Sequence, residues 1–125
     1  LRFRPFAIAV AAALALAAAV LAAREAARIG DTQVCPQTCT IGPSTFPHVG
    51  QPLSQGSPDV QICGAPAVRV GHSTLCICGG SPVSGAVATG SNTVFINGAP
   101  AARKNSTTTH GGVITSGCPS VIVGP

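Results

Sequence analysis

Apolar and polar positions follow two unlike patterns along this chain. From Phe6 to Ala23 the sequence is an unbroken run of 18 Ala, Val, Leu, Ile and Phe residues, preceded by Arg2 and Arg4 and closed by Arg24 and Glu25. A run of that length predicts a helix just long enough to cross a bilayer, which takes about 20 residues and tolerates about 17. Residues 1–25 therefore read as an N-terminal hydrophobic helix. Three roles fit it: a transmembrane helix, a segment shielded by a chaperone until delivery, or a signal peptide with its basic start and apolar middle.

After Glu25 the apolar residues come in short runs between Pro, Gly, Ser and Thr. Val60-Gln61-Ile62, Val94-Phe95-Ile96 and Val121-Ile122-Val123 each read as a strand of β-branched and aromatic residues bounded by turn residues. Beyond residue 30 no stretch has a helical period of useful length. The composition agrees, with 8% charged residues, 15 Gly and 11 Pro beside 46% hydrophobic residues. Too apolar for a solvated coil, residues 26–125 are expected to be all-β, built from short strands and tight turns.

A single unit recurs. Gly56-Ser57-Pro58-Asp59-Val60-Gln61-Ile62-Cys63-Gly64-Ala65-Pro66-Ala67-Val68-Arg69 lies over Gly90-Ser91-Asn92-Thr93-Val94-Phe95-Ile96-Asn97-Gly98-Ala99-Pro100-Ala101-Ala102-Arg103. A partial copy, Gly117 to Gly124, lacks its second half, and Ala26-Ala27-Arg28 supplies that half at the other end. In each unit a Gly-led turn feeds a strand, and Asn97-Gly98 is a strong hairpin signal. Three such hairpins cannot each bury a face alone, but they can when packed around a pseudo-threefold axis as a small cone. Val60, Ile62, Val94, Ile96, Val121 and Val123 are the expected core.

Thr93 to Gly98 followed by Ala99-Pro100-Ala101-Ala102-Arg103 resembles the signature of the PAAR-repeat family, and Ala65-Pro66-Ala67-Val68-Arg69 departs from it by one Val. Ala26-Ala27-Arg28-Ile29-Gly30-Asp31 is similar to the family's opening motif, with the acid three residues after the Arg; His72 and Ser106 stand at that offset in the later copies.

The repeat also organises candidate metal ligands. Cys35, Cys76 and His110 each lie seven residues after a repeat arginine, Arg28, Arg69 and Arg103. A threefold arrangement would bring them together, as three of the four ligands of a tetrahedral zinc. The resemblance implies a tip zinc whose remaining ligand is a histidine from the Pro-rich insertion, here His48, giving Cys35, His48, Cys76 and His110. Two thiolates and two imidazoles favour zinc over oxygen-seeking calcium or magnesium. Four protein ligands make one closed structural Zn2+, not a catalytic one, and on the order of 10 kcal/mol from such a site suits a thin fold with little interior.

Other readings of the same residues exist. Six cysteines behind a signal peptide would form three disulfides. Cys39 or Cys78 would serve in place of one of the four ligands, Cys63 and Cys118 read as small buried hydrophobes, and His72 reads as a solvated turn residue.

The folded region has two carboxylates after Arg28, Asp31 and Asp59, and no nucleophile elbow, phosphate loop or metalloprotease helix, so the chain is not expected to be an enzyme. The seven basic residues form no stripe and Trp and Tyr are absent, which argues against nucleic acid. The resemblance implies a tip protein on a trimeric VgrG-type spike of a type VI secretion or related contractile injection system. Such a protein waits in the bacterial cytoplasm, is expelled on firing, and helps carry effectors across a target membrane. The apolar run resembles segments that a dedicated chaperone guards. The alternative is a secreted, disulfide-bonded β-repeat module of the envelope or of adhesion, with residues 1–23 as its signal peptide.

Overall fold

A computed structural model describes residues 23–125, so the helix expected over residues 1–25 lies outside the described residues up to residue 22; at Arg24 and Glu25 the chain is not helical but a strand, because their backbones pair with Val123 and Ile122. Among the described residues all regular structure is antiparallel β, and no helix is long and apolar enough to cross a membrane. The strands are β1 (Arg24–Ala26), β2 (Gln33–Val34), β3 (Thr38–Ile41), β4 (Ser44–Gly50), β5 (Ser57–Ile62), β6 (Ala65–Ala67), β7 (Ser73–Cys78), β8 (Ser81–Ala86), β9 (Phe95–Ile96), β10 (Ala99–Pro100), β11 (Val113–Ile114) and β12 (Cys118–Val123).

The repeat units are hairpins. β5 pairs with β6 through Cys63-Gly64 (φ 50° and 79°), and β9 with β10 through Asn97-Gly98 (φ 49° and 83°), the left-handed pair that a two-residue hairpin loop requires. In the remaining unit the strands come from opposite ends of the sequence, with β12 running against β1 (Arg24 opposite Val123).

The three Ala-x-Arg triplets then join one another. Ala27 donates its N–H to the Ala102 carbonyl at 3.0 Å, Ala102 to Val68 at 2.9 Å, and Val68 back to Ala27 at 3.1 Å. This is a closed cycle of backbone bonds, flanked by bridges between Ala26 and Arg103, Arg28 and Ala67, and Arg69 and Ala101. Neighbouring residues of an extended chain face opposite ways, so the cycle separates two small cores. Ala26, Ala67 and Ala101 lie on one side with Ile62, Ile96, Cys118 and Val123, while Ala27, Val68 and Ala102 lie on the other with Leu53, Val87 and Ile114. Where the three backbones converge the side chains are small and buried, Ala at five of the six positions and Val68 at the other.

The same crowding explains the glycine that opens each unit. A Cβ on Gly56, Gly90 or Gly117 would lie 2.9, 2.6 or 2.8 Å from the carbonyl oxygen of Pro66, Ala101 or Glu25.

The position three residues beyond each motif arginine has one job filled by three chemistries. The backbone N–H of Arg28 donates to Asp31 Oδ2 (2.8 Å), that of Arg69 to His72 Nδ1 (3.1 Å), and that of Arg103 to Ser106 Oγ (3.0 Å). All three acceptors are buried, so His72 is a structural cap and not a solvated turn residue.

The expected core is largely found in place, with Ile62, Ile96 and Val123 buried and Val60 and Val121 packed against them. Val94 differs and is 38% exposed. The buried Ser91 hydroxyl accepts the N–H groups of Thr93 and Val94, which bends the chain there and shortens β9 to two residues.

Candidate metal centre

The centre forms where the β3-β4-β7-β8 sheet meets β2 and the turn before β11. Cys35 follows β2, Cys76 lies within β7, and His110 occupies the turn between Thr108 and Gly111. His48 lies on β4, opposite Cys78 of β7, so the Pro-rich insertion is a hairpin strand here and not an open loop.

All four residues come together. One ligand atom from each of Cys35, His48, Cys76 and His110 lies within 4.8 Å of every other. Cys35 Sγ is 3.5 Å from His48 Nδ1, and the imidazoles of His48 and His110 are tilted at 58° with centroids 5.7 Å apart. Both cysteines are buried and both histidines half-buried.

Supporting residues hold them there. Buried Gln33 donates from Nε2 to the carbonyls of Gln51 (2.9 Å) and Leu75 (3.2 Å), tying the strand before Cys35 to the strand bearing Cys76. Thr108 Oγ1 accepts the N–H of Gly112 at 3.0 Å, which closes the turn carrying His110. A Cβ on Gly85 would stand 3.6 Å from the His110 ring, after meeting Thr74 and Thr109 at 3.0 Å.

The donors fit a bound cation. His110 Nδ1 is buried with no hydrogen-bond partner, a costly state for a polar atom unless something else satisfies it. Burial first, and then the neighbouring Cys35 thiol, push the Cys76 thiol up to about 11, so near neutrality it holds its proton. A divalent cation reverses that preference, because thiolate is the form that ligates. The group is thus positioned to hold a metal ion, and four protein donors suit a structural site better than an open catalytic one.

The other four cysteines form two disulfides, Cys39–Cys78 between β3 and β7 and Cys63–Cys118 between the β5–β6 turn and β12, leaving Cys35 and Cys76 as free thiols. Cys63 and Cys118 are therefore bonded partners and not independent buried hydrophobes; Cys63 is exposed. Cys39 and Cys78 also make a second donor group with His48. Away from the centre, Arg24, Arg103 and Lys104 share the lining of a cavity of about 180 Å³.

Three motif copies in a hydrogen-bonded cycle, with Cys35, Cys76 and His110 at equivalent positions of one Cys/His cluster, define a small β-repeat protein with a group positioned to hold a metal ion. A sequence model of the PAAR motif matches residues 17–81 and 45–116, and the chain belongs to that family. The motif is associated with spike-tip proteins of type VI secretion, which generally bind the VgrG spike; the family is structural and not enzymatic. No curated protein matches the chain.

Proposed function

We propose that this chain is the zinc-stapled tip of a contractile secretion spike. It caps a trimeric VgrG-type protein, with its three repeat units related by a pseudo-threefold axis that matches the three chains beneath. The observation that carries this reading is the convergence of Cys35, Cys76 and His110, each seven residues past a motif arginine, on one point together with His48. Equivalent positions meet in space when the units are related by rotation, and the closed cycle through Ala27, Val68 and Ala102 supports the same relation. In this reading Cys35, His48, Cys76 and His110 hold one Zn2+. The protein resides in the bacterial cytoplasm before firing and then leaves with the spike, helping effectors across the target membrane. In this reading the apolar run of residues 6–23 precedes the repeat domain, and a chaperone shields it before delivery.

The test joins metal content to stoichiometry. The reading expects about one zinc per chain and native mass spectra of one chain on three spike subunits; a zinc-free protein that ignores the spike would sink it. A second reading, a secreted disulfide module, draws on the Cys39–Cys78 and Cys63–Cys118 bonds. It requires neither zinc nor spike, so the same measurements separate the two.

A further inference from the structure

The Cys39–Cys78 disulfide spans β3 and β7 and lies against the strand that carries His48. The ligand atoms of Cys39, His48 and Cys78 fall within 4.8 Å of one another, as those of the four-residue centre do. Cys78 is buried and the other two residues half-buried, so this group is shielded from bulk water. β3 pairs along one edge only, with β4, which leaves Cys39 free to adjust by the small distance that separates a disulfide from two thiolates around an ion. His48 belongs to both groups, and its ring serves two ions through its two nitrogens only as an imidazolate, so loading both sites also releases the ring N–H proton to solvent.

We propose that Cys39, Cys78 and His48 form a second metal site for a soft, filled-shell ion such as Zn2+, gated by the redox state of the cysteine pair. As a disulfide the pair offers no thiolate and the site is shut. Reduction delivers two electrons and two protons to the sulfurs; on metal binding those protons leave to solvent and the thiolates ligate. Two thiolates and one imidazole select soft ions over oxygen-seeking ones. Such a gate is shut in oxidising compartments and open in reducing ones. The second site does not require the first to be loaded.

The test uses the full chain, zinc as the probe and a water-soluble phosphine as reductant, which leaves as its oxide with oxygen from water. Native mass spectrometry counts zinc before and after reduction, and alkylation mapping reports which cysteines are thiols. One zinc when oxidised and two when reduced is the expected result. Cys39→Ser with Cys78→Ser should hold one in both states, whereas Cys63→Ser with Cys118→Ser should keep the gain. Cobalt substitution gives a second readout needing no variant: thiolate-to-cobalt absorbance per chain should roughly double on reduction. An unchanged zinc count with Cys39 and Cys78 mapped as thiols overturns the proposal, as does finding both already thiols before the phosphine is added. No zinc when oxidised but one when reduced would support this site and overturn the four-residue centre instead.

Discussion

His72 Nδ1 accepts the backbone N–H of Arg69 at 3.1 Å, doing with an imidazole what Asp31 and Ser106 do with oxygen in the other two units. Only the neutral ring can accept there. Burial first, and the Arg69 guanidinium second, hold its pKa below the ordinary 6.5. The unfolded chain therefore takes up this proton before the folded one does. The cap's stability is present above about pH 6.5 and is lost as pH falls through the lowered folded value. Thermal melts between pH 7.5 and 5 should fall more steeply for the wild type than for His72→Ser, which keeps an acceptor without the titration. Parallel curves would refute the assignment.

Gly90→Ala should destabilise the protein by about 1–3 kcal/mol, the usual cost of forcing atoms into a packed interior. The new Cβ would sit 2.6 Å from the Ala101 carbonyl oxygen, which belongs to the motif backbone and cannot swing aside. Urea titration measures the loss, and an unchanged midpoint would mean that the backbone yields more easily than this packing suggests.

Metal binding should release protons. In the metal-free protein Cys76 carries its proton near neutrality, held there by burial and by Cys35. Adding zinc to metal-stripped protein in weak buffer with an indicator dye should liberate at least one proton per ion, and Cys76→Ser should abolish tight binding. Binding without proton release would show that the thiol is already ionised and the centre differently organised.

Replacing Cys63 and Cys118 together by Ser should cost about 2–4 kcal/mol, as expected for loss of a cross-link closing a long loop, since the two are 55 residues apart in sequence. Denaturant curves of wild type and double variant, each with and without reductant, check this. The variant should be the less sensitive to reductant, and equal sensitivity would contradict it.

What could be read before the structure was mostly what repeats. The offset of seven residues from each arginine picks out Cys35, Cys76 and His110 because equivalent positions in rotated copies meet in space. His48 has no counterpart in the other units and came only through family resemblance. The disulfides stayed hidden because their partners are 39 and 55 residues apart in different units, where linear spacing carries no information. Gln33, Thr108 and Gly85 were missed for a similar reason, since each acts through contacts between segments. The +3 cap left a signal that was visible but unread: Asp31, His72 and Ser106 differ in charge yet all carry a hydrogen-bond acceptor. Val94 was misjudged because Ser91 takes over the backbone N–H that a longer strand would have used.

The hairpin of β1 and β12 sets the order of assembly. Two hairpins can form from local segments as the chain leaves the ribosome, but the third waits until Val123 has been synthesised to meet Arg24. The cycle of Ala27, Val68 and Ala102 needs nothing from β12, but until then Ala26 lacks its partner Cys118 and the third hairpin stays open. Once it is shut, whatever is tethered before Arg24 and whatever is tethered after Val123 leave from the same corner of the protein, so a pull on either lead strains a single seam.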